Sequence, residues 1–388
     1  MKVKPIVTLC ANLSPDFSKV NLVHVVRQFA PMVGGLEDFV RNLVMRQLGQ
    51  FASVKVITLD RLFTDLDYVL PHHEMIDGIE IVRIPFQGSP RYPVAPQVFR
   101  HLAGADLVHV HAIDFFYDAL ALTRPVHRHK MVATSHGGFF HTKAHSKLKK
   151  IWFNSVTRLS AHQYGGIACC SESDLELFAK IAPRRCRLIE NGVELEKFAN
   201  TASQKPVRHM VTVGRFSVNK RLDRVLDVLK RLVDENDSWK LDIIGSPSDL
   251  SIEALSAHVF ERGLSDHVCL HTGLSNDEVG RVFARSSLFV SASDYEGFGI
   301  AMIEALSAGL VPVVHPNAAF KSLAGRHPGI HLTDFSNPVA AAQVIGEAMS
   351  QLECDPVLRS DVIDSAQQHS WSTTLQEYSQ LYSDVLFA

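Results

Sequence analysis

Short apolar runs alternate with segments of helical periodicity along nearly the whole 388-residue chain, and this alternation limits the fold more than any other feature. Runs at Asn21–Val26, Val54–Leu59, Ile79–Ile84, Leu107–His111, Met131–Ser135, Gly166–Cys170 and Arg187–Ile189 have strand length, not helix length. A second series follows at His209–Val213, Leu241–Ile244, Val268–His271, Leu288–Val290 and Val311–Val314. Strands separated by helices pair in parallel through crossovers, so each series predicts an α/β, mostly parallel, doubly wound sheet of Rossmann-like type. The polar stretch Thr201–Pro206 reads as a linker, which divides the chain into domains 1–203 and 204–370. Residues 371–388 form a last amphipathic helix with Leu375, Tyr378, Leu381 and Tyr382 along one side, and residues 1–20 are an irregular lead-in.

Composition narrows the class. The chain is 46% apolar and 21% charged, as in ordinary globular proteins, and its net charge of −2 argues against bulk nucleic-acid binding. The six cysteines show no C-x-x-C pair and no zinc spacing, which favours reduced, mostly buried thiols in a cytoplasmic protein. No apolar run approaches the ~18 residues of a membrane span, and the start is too weakly apolar for a signal peptide. The histidines are scattered, and no metal site is expected.

The chemistry concentrates at Glu296–Glu304, EGFGIAMIE. A strand ends at Val290, a polar turn spans Ser291–Tyr295, and Ile300, Met302, Ile303 and Leu306 then take helical spacing up to Gly309, a C-cap residue. Gly297 and Gly299 allow close backbone approach to a ligand, and free N–H groups at the helix start suit a phosphate. Glu296 and Glu304 border that site, and carboxylates accept hydrogen bonds from hydroxyls. Hydroxyls beside phosphates describe a nucleotide sugar. Read alone, an EGxG segment is better taken as a strand, a turn and a helix with two solvated glutamates.

Other turns repeat the pattern. Arg215 and Lys220 flank the turn after His209–Val213 and together reach a diphosphate, Arg as a planar fork and Lys as a point charge. Gly34-Gly35 opens a helix carrying Leu36, Phe39, Val40, Leu43 and Val44, and either cradles phosphate or is a plain tight turn. His136 follows the strand Met131–Ser135, where parallel sheets bind ligands. Ser171 begins a helix as a cap. Asp65-Leu66-Asp67 matches a metal–nucleotide D-x-D motif but stands apart from the other signals and reads as chance. The segment 141–159 reads as a basic amphipathic helix, with Lys143, Lys147 and Lys150 on one face and Leu148, Trp152, Val156 and Leu159 on another. It is either a surface helix or a contact with an anionic membrane.

Together, Gly34-Gly35, His136-Gly137, Ser171, Arg215…Lys220 and Glu296…Glu304 resemble the motif set of retaining glycosyltransferases of family 4, of GT-B fold, in order and from residue 21 onward. The resemblance implies two Rossmann-like domains across a cleft, with the C-terminal helix crossing back to the first. It implies that Arg215 and Lys220 neutralise the leaving diphosphate without a metal or other cofactor. Glu296, Phe298, Gly299 and His136 would contact the donor sugar, Glu304 the ribose, Gly34 and Gly35 the diphosphate, and Ser171 the cleft. More narrowly, VHVVRQFAPMVGGLEDFV, TSHGGFFHT and CCSESD are similar to mannosyltransferases of acetan- and xanthan-type polysaccharide assembly. That implies GDP-mannose as donor, cellobiosyl-diphosphopolyprenol as acceptor, and a peripheral position at the inner face of the plasma membrane, with Lys143, Lys147, Lys150 and Trp152 in contact. A family 4 enzyme using a UDP-sugar, a sugar-nucleotide epimerase and a non-catalytic sugar-nucleotide sensor stay open beside this reading.

Overall fold

The chain is described here from a computed structural model, covering residues 15–32, 34–90, 92–137 and 151–387. It divides into two compact units, residues 1–190 with 374–388, and residues 191–373.

The first unit is built on β1 (Asn21–Val25), β2 (Ser53–Leu59), β3 (His73–Ile76), β4 (Ile79–Ile84), β5 (Gln87–Ser89), β6 (Tyr92–Val94), β7 (Leu107–His111), β8 (Lys130–Thr134), β9 (Gly166–Cys169) and β10 (Cys186–Leu188). Eight of these make one sheet in the order β10-β9-β8-β7-β1-β2-β4-β3, with β5 and β6 as a separate hairpin. All its pairings are parallel except β3 with β4. The central strands β1, β7 and β8 are buried on both faces because helices cover both, and their buried residues are apolar apart from His24, His109, His111 and Thr134. In the helix Gly35–Gln47, the apolar stripe predicted from spacing is buried at Phe39, Val40, Leu43 and Val44. The Trp371–Leu386 helix buries Tyr378, Leu381 and Tyr382. A Cβ on Gly166 would sit 2.4 Å from Leu381 Cδ1, so the bare glycine sets how closely this helix seats on β9.

The second unit holds β11 (His209–Val213), β12 (Lys240–Ile244), β13 (Val268–His271), β14 (Leu288–Ser291), β15 (Val311–Val314) and β16 (His331–Leu332). They form an all-parallel sheet in the order β13-β12-β11-β14-β15-β16. Its core takes in Val193, Leu195, Phe198 and Ala202. Backbone bonds Asn200 N–H to Ser307 O (2.9 Å) and Ala202 N–H to Ala308 O (2.8 Å) fasten the same stretch. The division between units therefore falls at 190/191, ahead of the polar stretch chosen from composition. Polarity marked the surface of Thr201–Pro206, whereas the apolar residues before it decide which core they join.

Two local expectations change. The buried side of the segment from Ile151 is Phe153, Thr157 and Ser160, while Leu159 is 64% exposed and Trp152 40% exposed. A π-helical turn at Phe153–Thr157 breaks the 3.6-residue period, which moves the apolar side chains expected on one face round to the surface. Cys169 and Cys170 are buried, Cys186 is half-buried, and Cys269 and Cys354 are exposed, so among the described residues the thiols are not mostly buried.

Candidate active site

In an open parallel sheet, ligands bind beyond the carboxyl ends of the strands, where the winding direction reverses. In the second sheet that point lies between β11 and β14. The loops leaving these two strands carry Gly214–Lys220 and Ala292–Gly299. They are tied to each other: Asn219 Nδ2 donates to Tyr295 O (2.9 Å), Asp294 N–H donates to Asn219 O (3.0 Å), and Arg224 Nη1 donates to Asp294 Oδ1 (2.7 Å). The result brings two predicted residues together. Lys220 Nζ donates to Glu296 Oε1 at 2.6 Å.

Two glycines make room for that contact. Gly214 has φ +155°, and a Cβ there would lie 2.8 Å from Lys220 Cε, so the lysine stem passes directly over it. A Cβ on Gly245 would lie 1.9 Å from Gly214 O. A side chain at Gly214 would push the Lys220 stem aside, and one at Gly245 would displace the Gly214 backbone.

Gly299, at φ +95°, is the N-cap of the helix Ile300–Ala308, and no side chain caps that end. Gly309 closes the helix in the left-handed conformation, as its position predicts. Glu304 lies one turn in, and Lys197 Nζ donates to its Oε1 at 3.0 Å. Lys197 is a site neighbour that sequence reasoning missed, because it lies 107 residues away in a short 3-10 turn. Phe298 packs edge-on against the His369 ring, centroids 5.4 Å apart. Burial pushes His369 down to about 4, so Phe298 rests on a neutral imidazole. Arg215 is exposed and makes no ion pair among the described residues. In the middle of β12 a third carboxylate, Asp242, is closed off. Although burial opposes it, hydrogen bonds from His209, Arg285 and His271 hold Asp242 well below the usual carboxylate range.

In the first unit, His136 follows β8 with φ +53°, and Gly137 continues at φ +70°. Asp174 braces this turn: its Oδ2 accepts from Ser135 Oγ (2.6 Å) and from Gly137 N–H (2.9 Å). Asp174 was also missed, since its place in a helix start suggested capping alone. Ser171 does cap, its Oγ accepting from Asp174 N–H at 3.2 Å. Gly34 is the N-cap of its helix in an extended conformation, and Gly35 is the first helical residue with open space about its Cα. Asp65 Oδ1 accepts from the N–H groups of Asp67 and Tyr68, so the D-x-D stretch is a side-chain-closed turn.

His136 Nε2 lies 3.0 Å from His111 Nδ1, and His111 Nε2 lies 2.9 Å from His24 Nδ1. Burial pushes His24 down to about 4 and His136 to about 3, and drives His109 and His111 well below the imidazole range. His24, His109 and His111 lie close enough together to hold a metal ion. Their ring nitrogens are instead taken up by Gln47, Tyr382, Thr134, His136 and one another. Lys143, Lys147 and Lys150 lie outside the described residues. Trp152 is described, and its indole N–H donates to Asp118 Oδ2 at 3.2 Å.

Two Rossmann-like units, with a Lys–Glu pair and an uncapped glycine helix start at the switch point of the second, define a GT-B glycosyltransferase. Residues 193–369 match the family described as Glycosyl transferases group 1, and residues 33–197 match Glycosyltransferase Family 4. The GDP-mannose:cellobiosyl-diphosphopolyprenol alpha-mannosyltransferase of Xanthomonas campestris is 40% identical over 95% of this chain and 97% of its own length. The enzyme of the same name from Komagataeibacter xylinus is 38% identical over 95% and 94%. The chain belongs to glycosyltransferase family 4 and to this mannosyltransferase branch of it. Among solved structures, a glycosyltransferase from Rickettsia africae matches with TM-score 0.73 and 16% identity over 95% of this chain and 99% of that one. Anabaena HepE in complex with UDP and glucose matches with TM-score 0.69 and 16% identity over 94% and 99%. Both support the fold alone.

Proposed function

We propose that this glycosyltransferase moves mannose from GDP-mannose to a cellobiosyl-diphosphopolyprenol acceptor in polysaccharide assembly, with retention at the anomeric carbon and without a metal. The single observation that carries the chemistry is the Lys220–Glu296 contact at the switch point, 2.6 Å long. The choice of donor and acceptor rests on the names of relatives 38–40% identical over 95% of the chain.

In this reading the donor's diphosphate takes the Lys220 ammonium, with Arg215 and the Gly299 helix start beside it. As the bond from anomeric carbon to phosphate breaks, negative charge grows on the leaving GDP. Lys220 and Arg215 stabilise it where it develops. Glu296, released from Lys220, accepts hydrogen bonds from mannose hydroxyls and so fixes the reacting carbon, a positioning role. Glu304 keeps a carboxylate oxygen for the ribose while Lys197 holds the other. His136 is the first unit's contact with the sugar, and Gly34, Gly35, Ser171 and Phe298 complete the proposed donor contacts. The acceptor hydroxyl attacks from the face the diphosphate leaves, and its proton passes to a leaving phosphate oxygen.

We assign a peripheral position at an anionic membrane to the same protein. No helix among the described residues is long and apolar enough to cross a membrane. The segment that follows Lys143, Lys147 and Lys150 exposes Ile151 (65%), Trp152 and Leu159. Exposed apolar side chains beside lysines suit an interface.

A thermal-shift titration with GDP, UDP and ADP tests the donor. A ligand that binds only the folded form raises the melting temperature. GDP alone is expected to do so. A selective response to UDP overturns the donor while sparing the family.

A further inference from the structure

Beneath the His136 turn lies a row of buried polar side chains that the transfer reaction does not account for. Strand register puts His24 opposite His109, and His111 opposite Thr134, on one face of the first sheet. Gln47, the last residue of its helix and 2% exposed, closes the row. Its Oε1 lies 2.8 Å from His24 Nε2, and its Nε2 lies 3.1 Å from Tyr382 Oη. From His24 the row runs to His111 (2.9 Å) and on to His136 (3.0 Å). From Tyr382 it runs to His109 Nδ1 (2.8 Å), and His109 Nε2 continues to Thr134 Oγ1 (2.8 Å).

We propose that Gln47 is a positioning residue whose amide sets the tautomer of His136 through His24 and His111, so that His136 carries its proton on Nε2 and offers a bare Nδ1 that accepts a hydrogen bond from a substrate hydroxyl. The argument is one of donor counting. A neutral imidazole has one N–H and one lone pair. The Gln47 carbonyl only accepts, so His24 is protonated on Nε2 and its Nδ1 accepts. His111 then donates from Nε2 and accepts at Nδ1. His136 donates from Nε2, which leaves its Nδ1 bare. In the other direction the amide N–H donates to Tyr382 Oη, the phenol donates to His109 Nδ1, and His109 Nε2 donates to Thr134.

Turning the amide over reverses all of these bonds together and moves the His136 proton to Nδ1. Reversing any single link between Gln47, His24, His111 and His136 sets two N–H groups, or two lone pairs, against each other in a buried site, which costs the full desolvation of those groups. The amide orientation therefore selects between two self-consistent directions, and with Oε1 towards His24 the row runs as described. A bare Nδ1 accepts from a hydroxyl but offers nothing to a phosphate oxygen, so His136 recognises the sugar and leaves the diphosphate to Lys220 and Arg215. This last step rests on the proposal that His136 touches the donor sugar. The tautomer itself does not.

The test is nitrogen NMR of the ligand-free full chain with labelled histidine at neutral pH, since ring-nitrogen shifts report which nitrogen holds the proton. A His136→Gln variant identifies the His136 signals. The wild type is expected to show His136, His111 and His24 all protonated on Nε2. Gln47→Glu keeps an acceptor oxygen facing His24 and preserves that pattern. Gln47→Leu removes the acceptor, leaves His136 as a mixture of tautomers, and lowers mannosyl turnover about tenfold, the worth of roughly one hydrogen bond. Protonation of wild-type His136 on Nδ1 or on both nitrogens overturns the proposal. So does an unchanged His136 signal in folded Gln47→Leu. If that variant does not fold, a Gln47→Glu protein whose His24 stays neutral but whose His136 is no longer protonated on Nε2 overturns it instead. The expected pattern in a protein that transfers no mannose would count against the proposed reaction and not against the network.

Discussion

Lys220 and Glu296 share a contact of 2.6 Å with both side chains about four-fifths covered. An ion pair with this much solvent contributes little to stability, about 1 kcal/mol or less. In the proposed reaction its value is in holding Lys220 over Gly214 until a diphosphate replaces the carboxylate. Lys220→Ala is therefore expected to lower turnover by about 10²–10³-fold, as loss of one charge-stabilising donor does elsewhere. Its melting temperature should stay close to that of the wild type. Steady-state transfer assays and a thermal melt check both halves, and near-normal turnover would put the diphosphate elsewhere. Both residues were legible in the sequence because each belongs to a short motif on a strand-to-helix turn. Lys197, Asp174 and Gln47 were not. They reach their partners across 107, 37 and 23 positions, and no local spacing records such contacts.

At the scale of elements, the parallel strands of both sheets lie within a residue or so of where the apolar runs place them, because strands covered on both faces leave continuous apolar runs. Shorter pieces escaped. β3 (His73–Ile76) is an antiparallel edge with no buried side, and β16 (His331–Leu332) is two residues long. The segment around Trp152 is where periodicity misled, because the π turn at Phe153–Thr157 shifts the face that is buried. Ile151, Trp152 and Leu159 are exposed there, which fits the proposed interfacial role of the basic residues before them. The wild-type protein is expected to sediment with vesicles of anionic lipid, and the Lys143→Glu, Lys147→Glu, Lys150→Glu triple variant to stay in the supernatant. Equal partitioning of the two would remove the membrane contact from the account.

Across the whole molecule, buried histidines set the response to acid. Burial holds His24 and His369 at about 4 and His136 at about 3, below the ordinary 6.5, and holds His109 and His111 well below it too. The unfolded chain therefore takes up protons that the fold refuses. The stability these groups contribute is complete above pH ~6.5 and is lost as pH falls from there towards 4. Asp114 works in the opposite sense: burial raises it to about 7, so its contribution is greatest below pH ~4 and falls as pH rises to 7. Burial also raises Asp38, Asp118 and Glu377, but the five histidines outweigh these carboxyls, and the melting temperature is expected to fall between pH 7 and pH 5. Each kcal/mol lost is worth about 2–4 °C for units of this size. A flat or rising profile on acidification would mean that these imidazoles are already charged in the fold.

The central claim is the reaction. The most direct measurement supplies synthetic cellobiosyl-diphospholipid with GDP-mannose, and in parallel with UDP-glucose, and follows the mass and linkage of the product lipid. The account predicts one added α-linked mannose from GDP-mannose, no product from UDP-glucose, and loss of that product in Lys220→Ala. Transfer from UDP-glucose, or hydrolysis of GDP-mannose with the lipid unchanged, would contradict it.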